Sequence, residues 1–254
     1  MKAILIATLL CCAVPFIAAP ALAQSTDAIT IGTRRVIKSQ VLKEDRTVYI
    51  QLPESYAQSR GYHRYPVLYV RDGGKFFQSF AGAVQHLSLD ATPHVPEMIV
   101  VAIVETDRVR DSSSTRSLQG FTGKPDQGFA SSGGGDDFRR FLEQELVPYI
   151  DKEFSTSSYR IYCGYSFTGL SVIDAFLDKD PLFDAFLMID PSWWWDDYSL
   201  EKRATAELAG RRFNRAQLFI AASGEAYPEK YFIEARDVES LAGILRKTNP
   251  AGLE

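Results

Sequence analysis

The sequence is poor in the side chains that most enzymes use for acid–base and metal chemistry. It has three histidines, His63, His86 and His94, and three cysteines, two of which fall within the first twelve residues. Cys163 therefore has no partner for a disulfide outside the N-terminal segment, and we expect a small buried apolar residue there. No group of potential ligands has metal-binding spacing, and the glycine run at 133–135 lacks the Lys-Ser or Lys-Thr of a phosphate loop. We therefore expect neither a metal nor a cofactor.

A strong charge of one sign is also missing. The formal net charge is −4, with 28 Lys and Arg residues against 32 Asp and Glu residues. No basic block is present that could hold nucleic acid, so we expect no nucleic-acid partner. This charge balance argues against nucleic-acid binding as the main function.

Long apolar runs are absent except at the N-terminus. Lys2 precedes an almost wholly apolar run from Ile4 to Ala19, and Ala21-Leu22-Ala23 then forms a small-x-small cleavage site. This pattern predicts a secretory signal peptide over residues 1–23, cleaved after Ala23. The run is short for a bilayer span. We therefore expect a periplasmic or secreted protein with no stable membrane insertion after cleavage.

The remaining residues, 24–254, have the length of one large α/β domain. Apolar strand patterns alternate with helical spacing, which predicts a doubly wound, mainly parallel sheet with helices on both faces. The predicted strands are a hairpin arm over 36–52 and the segments 65–70, 98–104, 159–163, 185–189 and 217–222; the predicted helices are 76–89, 136–154, 169–177 and 234–246.

Ligands of such sheets bind at the carboxyl ends of the strands. Asp72, Ser166, Asp190 and Glu225 each follow a predicted strand, so we expect them to gather on one rim. Residues 106–135 (the rim segment) also follow a strand and are rich in Ser, Gly and Thr. A loop of this length is either functional or disordered, and it could overhang the same rim.

Ser166 is the most informative residue. Residues 161–170 read Ile-Tyr-Cys-Gly-Tyr-Ser-Phe-Thr-Gly-Leu, so an apolar strand runs into a glycine-flanked serine and directly into a helix. This is how α/β-hydrolases present a nucleophilic serine. Gly164 provides the small residue before the serine, but Thr168 stands where a second glycine is usual, with Gly169 one position later. We predict that Ser166 is a nucleophile; the alternative is a plain turn serine.

An ester-cleaving serine needs two N–H donors for the oxyanion and an acid behind its base. We predict the N–H groups of Phe167 and Gly74 as these donors. Glu225 follows a late strand and is the predicted acid, with Glu229 as a second choice, whereas Asp190 is assigned to a pocket wall. Three adjacent tryptophans cannot all face one core, so at least one is expected in the cleft. The predicted substrate-lining residues are Asp72, Tyr165, Trp193 and Trp194.

Residues 35–250 resemble the secreted esterases related to enterochelin esterase, often called the esterase D family. The resemblance rests on Tyr65-Pro-Val-Leu-Tyr-Val-Arg-Asp-Gly-Gly74, Thr106-Asp-Arg-Val-Arg-Asp111, the stretch 138–149, Tyr159–Gly169, Phe183-Asp-Ala-Phe186 and Pro191-Ser-Trp-Trp194. It implies an α/β-hydrolase fold, carboxylic ester hydrolysis through an acyl-serine, and an oxyanion donor of the Gly74 type. Members of the family attack several kinds of small-molecule ester, so the resemblance does not identify the substrate.

The resemblance also implies a further strand and a histidine loop after the last helix. All three histidines precede Ser166, and Glu254 stands where that strand is expected to start. We therefore expect the last strand and the histidine loop to be missing, the domain 24–254 to be C-terminally incomplete, and activity to be impaired. Two alternatives stay open: a non-catalytic binding protein that keeps the pocket, and an acyltransferase.

Overall fold

The strands of the described residues form one mixed sheet. The computed structural model describes residues 28–59, 61–89, 91–120, 122–222 and 233–254, with side chains in the last range from 239. Within these ranges the eight strands are β1 Thr33–Ser39, β2 Glu44–Gln51, β3 Tyr65–Val70, β4 Ile99–Ile103, β5 Thr156–Tyr165, β6 Ala185–Ile189, β7 Arg212–Ala221 and β8 Ala251–Leu253. Their order across the sheet is β1-β2-β4-β3-β5-β6-β7-β8. β1 and β4 pair antiparallel to β2, and the other pairs are parallel.

Helices cover both faces of this sheet. They are α1 Tyr56–Ser59, α2 Gly73–Leu89, α3 Gly135–Phe141, α4 Val147–Glu153, α5 Gly169–Leu177, α6 Trp195–Glu207 and α7 Ile233–Thr248. A single π turn, Leu142–Leu146, joins α3 to α4. α2 packs on a small core on one face, and the helices from α3 onward contribute to a larger core on the other. Among the helices within the described ranges, none is both long and apolar enough to cross a bilayer.

The predicted fold class is confirmed, since β3, β6 and α5 have the predicted bounds and the sheet is mainly parallel. The prediction that the last strand is missing was wrong. β8 lies beside β7, where the Leu218 N–H donates to the Glu254 carbonyl at 2.8 Å and the Glu254 N–H to the Ala216 carbonyl at 2.9 Å. Because β8 is three residues long and is held by backbone groups, it has no apolar alternation to read in the sequence. The predicted signal peptide lies outside the described residues.

A buried ion pair fastens the rim segment to the sheet. Arg46 of β2 and Asp111 of the rim segment both have 0% exposed side chains, and Arg46 Nη1 donates to Asp111 Oδ2 at 2.6 Å. Arg110 donates from Nε to the other oxygen of Asp111 at 2.7 Å, and Glu44 accepts from Arg46 Nη1 at 2.8 Å. Removing one partner of such a pair leaves a charge uncompensated in a dry interior, which is costly.

Substitution Asp111→Ala tests this anchor. We expect it to lower the free energy of unfolding by about 3 kcal/mol, because Arg46 then keeps Glu44 as its acidic partner and loses the buried one. Urea unfolding followed by circular dichroism measures the change. The control is Asp137→Ala, whose exposed pair with Arg140 is expected to be worth less than about 1 kcal/mol. Equal losses in the two variants would contradict the anchoring role of Asp111.

Candidate active site

Ser166 occupies a strained turn between a strand and a helix. Tyr165 is still extended, Ser166 has a φ of 53°, and a 3₁₀ turn over Ser166–Thr168 then leads into α5. A non-glycine residue in this left-handed region costs of order 1–3 kcal/mol and persists where the surroundings hold it. The turn is tight at Gly164, where an added Cβ would lie 2.6 Å from the Thr168 carbonyl oxygen and 2.8 Å from Val172 Cγ2. The glycine before the serine is therefore a steric requirement.

Three predicted rim residues lie together at the carboxyl edge of the sheet. Asp72 follows β3, Ser166 follows β5 and Asp190 follows β6, and these three strands are adjacent and parallel. All three residues have positive φ, at 55°, 53° and 43°. The Ser192 N–H donates to the Ser166 carbonyl at 3.1 Å and joins two of these turns. Glu225 and Glu229, the two candidate acids, fall in residues 223–232, outside the described ranges.

Two helical N-termini meet beside Ser166. Gly73 and Gly74 open α2, and Phe167 is the middle residue of the 3₁₀ turn that opens α5. The first N–H groups of a helix have no acceptor within it, and the helix dipole makes this end positive. A Cβ at Gly73 would lie 2.7 Å from the Ala102 carbonyl carbon, whereas one at Gly74 would contact Val104 Cγ1 at 3.8 Å. Close approach to β4 thus requires glycine at 73, while the oxyanion roles of Gly74 and Phe167 stay predictions.

A hydrogen-bonded cluster of side chains lies between these two turns. Arg108 of the rim segment forms a bidentate pair with Asp72, at 2.8 Å from Nε to Oδ1 and 3.0 Å from Nη2 to Oδ2. The Thr168 hydroxyl lies 3.0 Å from Asp72 Oδ2 and 2.8 Å from the Tyr165 carbonyl oxygen. Asp72 is 3% exposed. Its carboxylate therefore faces the protein, and the expectation that Asp72 lines the substrate cleft is corrected.

Below this cluster, Arg71 forms a second buried ion pair. Its guanidinium donates to both carboxylate oxygens of Glu105, at 2.8 and 2.9 Å, and to Ser171 Oγ at 2.7 Å. Burial alone would lower the pKa of Arg71, but the charge of Glu105 and the Tyr162 hydroxyl outweigh it and raise the pKa. The Glu105 carboxylate also accepts the Asp72 N–H at 3.0 Å. The turn after β3 is thus fixed from beneath.

The three tryptophans pack into the protein beside the turn over residues 164–168 (the elbow). Trp193 is 0% exposed and its Nε1 donates to Glu201 at 3.2 Å. The expectation that Trp193 lines an open cleft was wrong, because the chain turns sharply after β6 and directs this ring into the core. Trp194 is also buried, and it lies edge-on to Phe129 of the rim segment at 5.9 Å. The Phe129 ring also lies against the Phe167 ring, tilted by 37°, with 5.3 Å between the ring centroids. The rim segment therefore contacts the elbow directly.

An open apolar pocket of about 340 Å³ adjoins the elbow on the α2 face. It is lined by Val70, Arg71, Phe76, Phe80, Cys163, Gly164, Tyr165 and Ile189. Tyr165 is 41% exposed, and its ring lies edge-on to Phe76 at 5.6 Å. Burial raises the pKa of the Cys163 thiol to about 12, so this cysteine stays protonated. In the described residues, no three potential ligand side chains converge on a metal position.

The three histidines lie far from Ser166. His63 precedes β3 and packs on the Tyr65 ring at 4.5 Å. His86 is in the last turn of α2, about 20 Å along the axis from Gly73. His94 precedes β4, where its N–H donates to the Leu87 carbonyl. In the described part of the chain no side chain is hydrogen-bonded to the Ser166 hydroxyl. None of these imidazoles lies within the roughly 3 Å that a general base needs.

Comparison with known proteins identifies the family. The profile of the family described as “Putative esterase” matches residues 39–222. The chain belongs to this esterase family. The ferri-bacillibactin esterase BesA of Bacillus subtilis (strain 168) is 27% identical to it over 214 residues, which are 79% of this chain and 73% of that protein. The enterochelin-esterase-like resemblance of the sequence is thereby confirmed, and the family is one of carboxylic ester hydrolases.

Solved structures share the architecture. An IroE-like serine hydrolase from Shewanella oneidensis is 33% identical, with a TM-score of 0.80 over 87% of this chain and 71% of that chain. The BES protein from Bacillus cereus has a TM-score of 0.72 at 22% identity, over 91% of this chain and 87% of that chain, and supports the fold alone. The eight-stranded sheet of the described residues is thus that of an α/β-hydrolase.

Sequence reasoning missed the residues of the rim segment that support the turn around Ser166. Arg108 and Phe129 reach the elbow from positions 58 and 37 residues before Ser166, and no local spacing relates them to it. Arg108 belongs to the Thr106–Asp111 stretch on which the family resemblance rests. That resemblance indicated its importance without indicating its partner.

Substitution Gly164→Ala tests the elbow geometry. We expect a loss of about 2 kcal/mol in the free energy of unfolding, because the new methyl group overlaps the Thr168 carbonyl oxygen and the backbone must move. The matched control is Gly82→Ala in α2, where an added Cβ meets no atom within 4 Å. That change should stabilise the protein by about 0.5–1 kcal/mol. A Gly164→Ala variant as stable in urea as the unchanged protein would show that the turn has room.

Proposed function

We propose that this chain is a serine ester hydrolase that works through an acyl-Ser166 intermediate. The observation that carries the proposal is the strained serine at the rim, with positive φ, between the N-termini of α2 and α5. A serine held in this way presents its Oγ above the sheet edge. Membership of a family of ester hydrolases supports the same reaction class.

In the proposed reaction, Ser166 Oγ attacks the ester carbonyl carbon and loses its proton to a base. The carbonyl oxygen becomes an oxyanion, to which the N–H groups of Phe167 and Gly74 donate. The tetrahedral intermediate collapses, the C–O bond breaks, and the alcohol leaves with a proton. Water then attacks the acyl-serine to release the acid. Each oxyanion donor of this kind is worth about 10²–10³ in rate.

We also propose that this polypeptide by itself lacks the base, so that its turnover is slow. The positions of His63, His86 and His94 support this, since all lie towards the amino ends of β3 and β4. Glu225 is the proposed acid that would orient an imidazole. A serine without an adjacent base is a weak nucleophile, and loss of a triad histidine costs about 10⁶ in kcat.

For the substrate class we propose an ester of a siderophore. The relatives support this, because BesA is named as a ferri-bacillibactin esterase and a protein of Emericella nidulans, 29% identical over 118 residues, as an enterobactin esterase. The apolar pocket next to Tyr165, with Phe76 and Phe80 in its wall, is suited to flat or apolar groups of such a small molecule.

Hydrolysis of p-nitrophenyl acetate by the purified chain and by Ser166→Ala tests the chemistry. Without additive, we expect Ser166-dependent turnover well below about 1 s⁻¹, the low end of ordinary enzymes. With free imidazole at 100 mM, the difference between the two proteins should grow about tenfold, because general-base catalysis normally supplies about 10²–10⁴ and an untethered base recovers part of it.

Two results would count against these proposals. Turnover above about 1 s⁻¹ that disappears in Ser166→Ala would show that a base is present within the chain. The same rate in both proteins, with and without imidazole, would overturn the hydrolase proposal and favour a non-catalytic binding protein. The observation that supports this alternative is that none of the three histidines contacts Ser166. Labelling by a fluorophosphonate gives an independent reading, since it requires a reactive serine.

We propose that the protein is exported, because residues 1–23 have the pattern of a signal peptide. Fusion of residues 1–30 to alkaline phosphatase, which is active after export, should give phosphatase activity in a bacterial host. N-terminal sequencing of the exported full-length protein should start at Gln24, because Ala21 and Ala23 are the small residues that signal peptidase requires. The control is Ala23→Arg, which should block cleavage. Phosphatase activity no higher than without residues 1–30 would exclude export.

A further inference from the structure

Among the described residues, no backbone hydrogen bond joins the turn after β3 to the turn after β5, the two turns that contain the proposed oxyanion donors. The Arg71 N–H donates to the Cys163 carbonyl at 2.9 Å, the last bond along the β3–β5 boundary before the turns. Beyond it, the chain turns into α2 on one side and into α5 on the other. Side chains that join the two turns can therefore influence the distance between the Gly74 and Phe167 N–H groups.

Thr168 supplies such a joint. Its side chain is 0% exposed, and its hydroxyl lies 3.0 Å from Oδ2 of Asp72, the residue before the glycines of α2. The same hydroxyl oxygen accepts the Tyr165 N–H at 3.0 Å. One side chain thus holds the residue before the serine on one side and the oxyanion turn on the other.

Arg108 closes the cluster into a ring. While it pairs with both oxygens of Asp72, its Nη2 also donates to the Tyr165 carbonyl at 3.0 Å. Both backbone polar groups of Tyr165 are therefore held by side chains, and Asp72 is held from two directions. Asp72 and Thr168 are buried within this ring, and connected hydrogen bonds at buried groups make their surroundings rigid.

We propose that Asp72, Thr168 and Arg108 are positioning residues that set the spacing of the two oxyanion donors in this chain. The inference rests on the proposed function. It gives Thr168, at a position where glycine is usual in the serine motif, a specific task. Glycine has no side chain with which to bridge the turns, so a chain with the usual motif must fix the spacing by other contacts.

Three substitutions at Thr168 separate this role from simple tolerance of a larger residue. Thr168→Val keeps the shape and removes the hydroxyl, Thr168→Ser keeps the hydroxyl, and Thr168→Gly introduces the usual residue. With imidazole present, we expect kcat for p-nitrophenyl acetate to fall tenfold or more in the Val and Gly variants at unchanged KM, because misplaced donors weaken transition-state binding and not substrate binding. The Ser variant should retain kcat within about threefold, a bound that allows for the lost methyl group.

Thr205→Val is the control. Thr205 lies on the exposed face of α6, where its hydroxyl donates to the Glu201 carbonyl of the same helix, so kcat should not change. Melting temperatures check that each variant folds. Thr168→Gly as fast as the unchanged protein, or Thr168→Val equal to Thr168→Ser, would overturn the proposal, because the hydroxyl would then have no effect on the reaction.

Amide hydrogen exchange provides a reading that does not depend on activity. If the Thr168 hydroxyl holds the turn, the Tyr165 amide should exchange at least tenfold faster in the Val and Gly variants and at an unchanged rate in the Ser variant. Equal exchange in all proteins would overturn the positioning role. If the unchanged protein shows no Ser166-dependent hydrolysis, the proposed function is wrong but the positioning role is not thereby excluded. The exchange rates then decide whether Thr168 holds the turn.

Discussion

A buried guanidinium is the point on which the carboxyl edge of this sheet depends. Arg71, one residue past β3, pairs with Glu105 at the end of β4, reaches Ser171 in α5, and lies over the Phe138 ring of α3 at 4.1 Å. A charge in this position must be satisfied on every side, because an unpaired buried charge is very costly. These three partners come from the segment after β4, from α5 and from α3, so the guanidinium joins three separate parts of the fold to the end of β3.

The strained residues follow from this arrangement. Asp72 adopts a positive φ directly after Arg71, and Glu105 accepts its N–H while Arg108 and Thr168 hold its carboxylate. Left-handed backbone persists in a non-glycine residue when several contacts oppose its relaxation. Ion pairs beneath the rim and hydrogen bonds above it thus stabilise a turn that the local sequence alone would not favour.

The fold could be predicted from the sequence where apolar periodicity was strong. β3, β6 and α5 were predicted with their observed bounds, and Gly164 and Ser166 indicated the elbow correctly, because these signals are local. β8 was missed because three residues held by backbone bonds show no period. Trp193 was misplaced because a sharp turn, which composition does not reveal, decides whether such a ring faces a cleft or the core.

The support of the site was harder to predict for a physical reason. Arg108 and Thr168 are 60 residues apart and meet at the Asp72 carboxylate, through contacts that depend on strand order and not on spacing. In the serine motif, Thr168 appeared only as a departure from the usual glycine. In the folded chain its hydroxyl is bonded on both sides, so the added side chain is accommodated by a partner from another strand. A motif residue can therefore be judged only with the element that it faces.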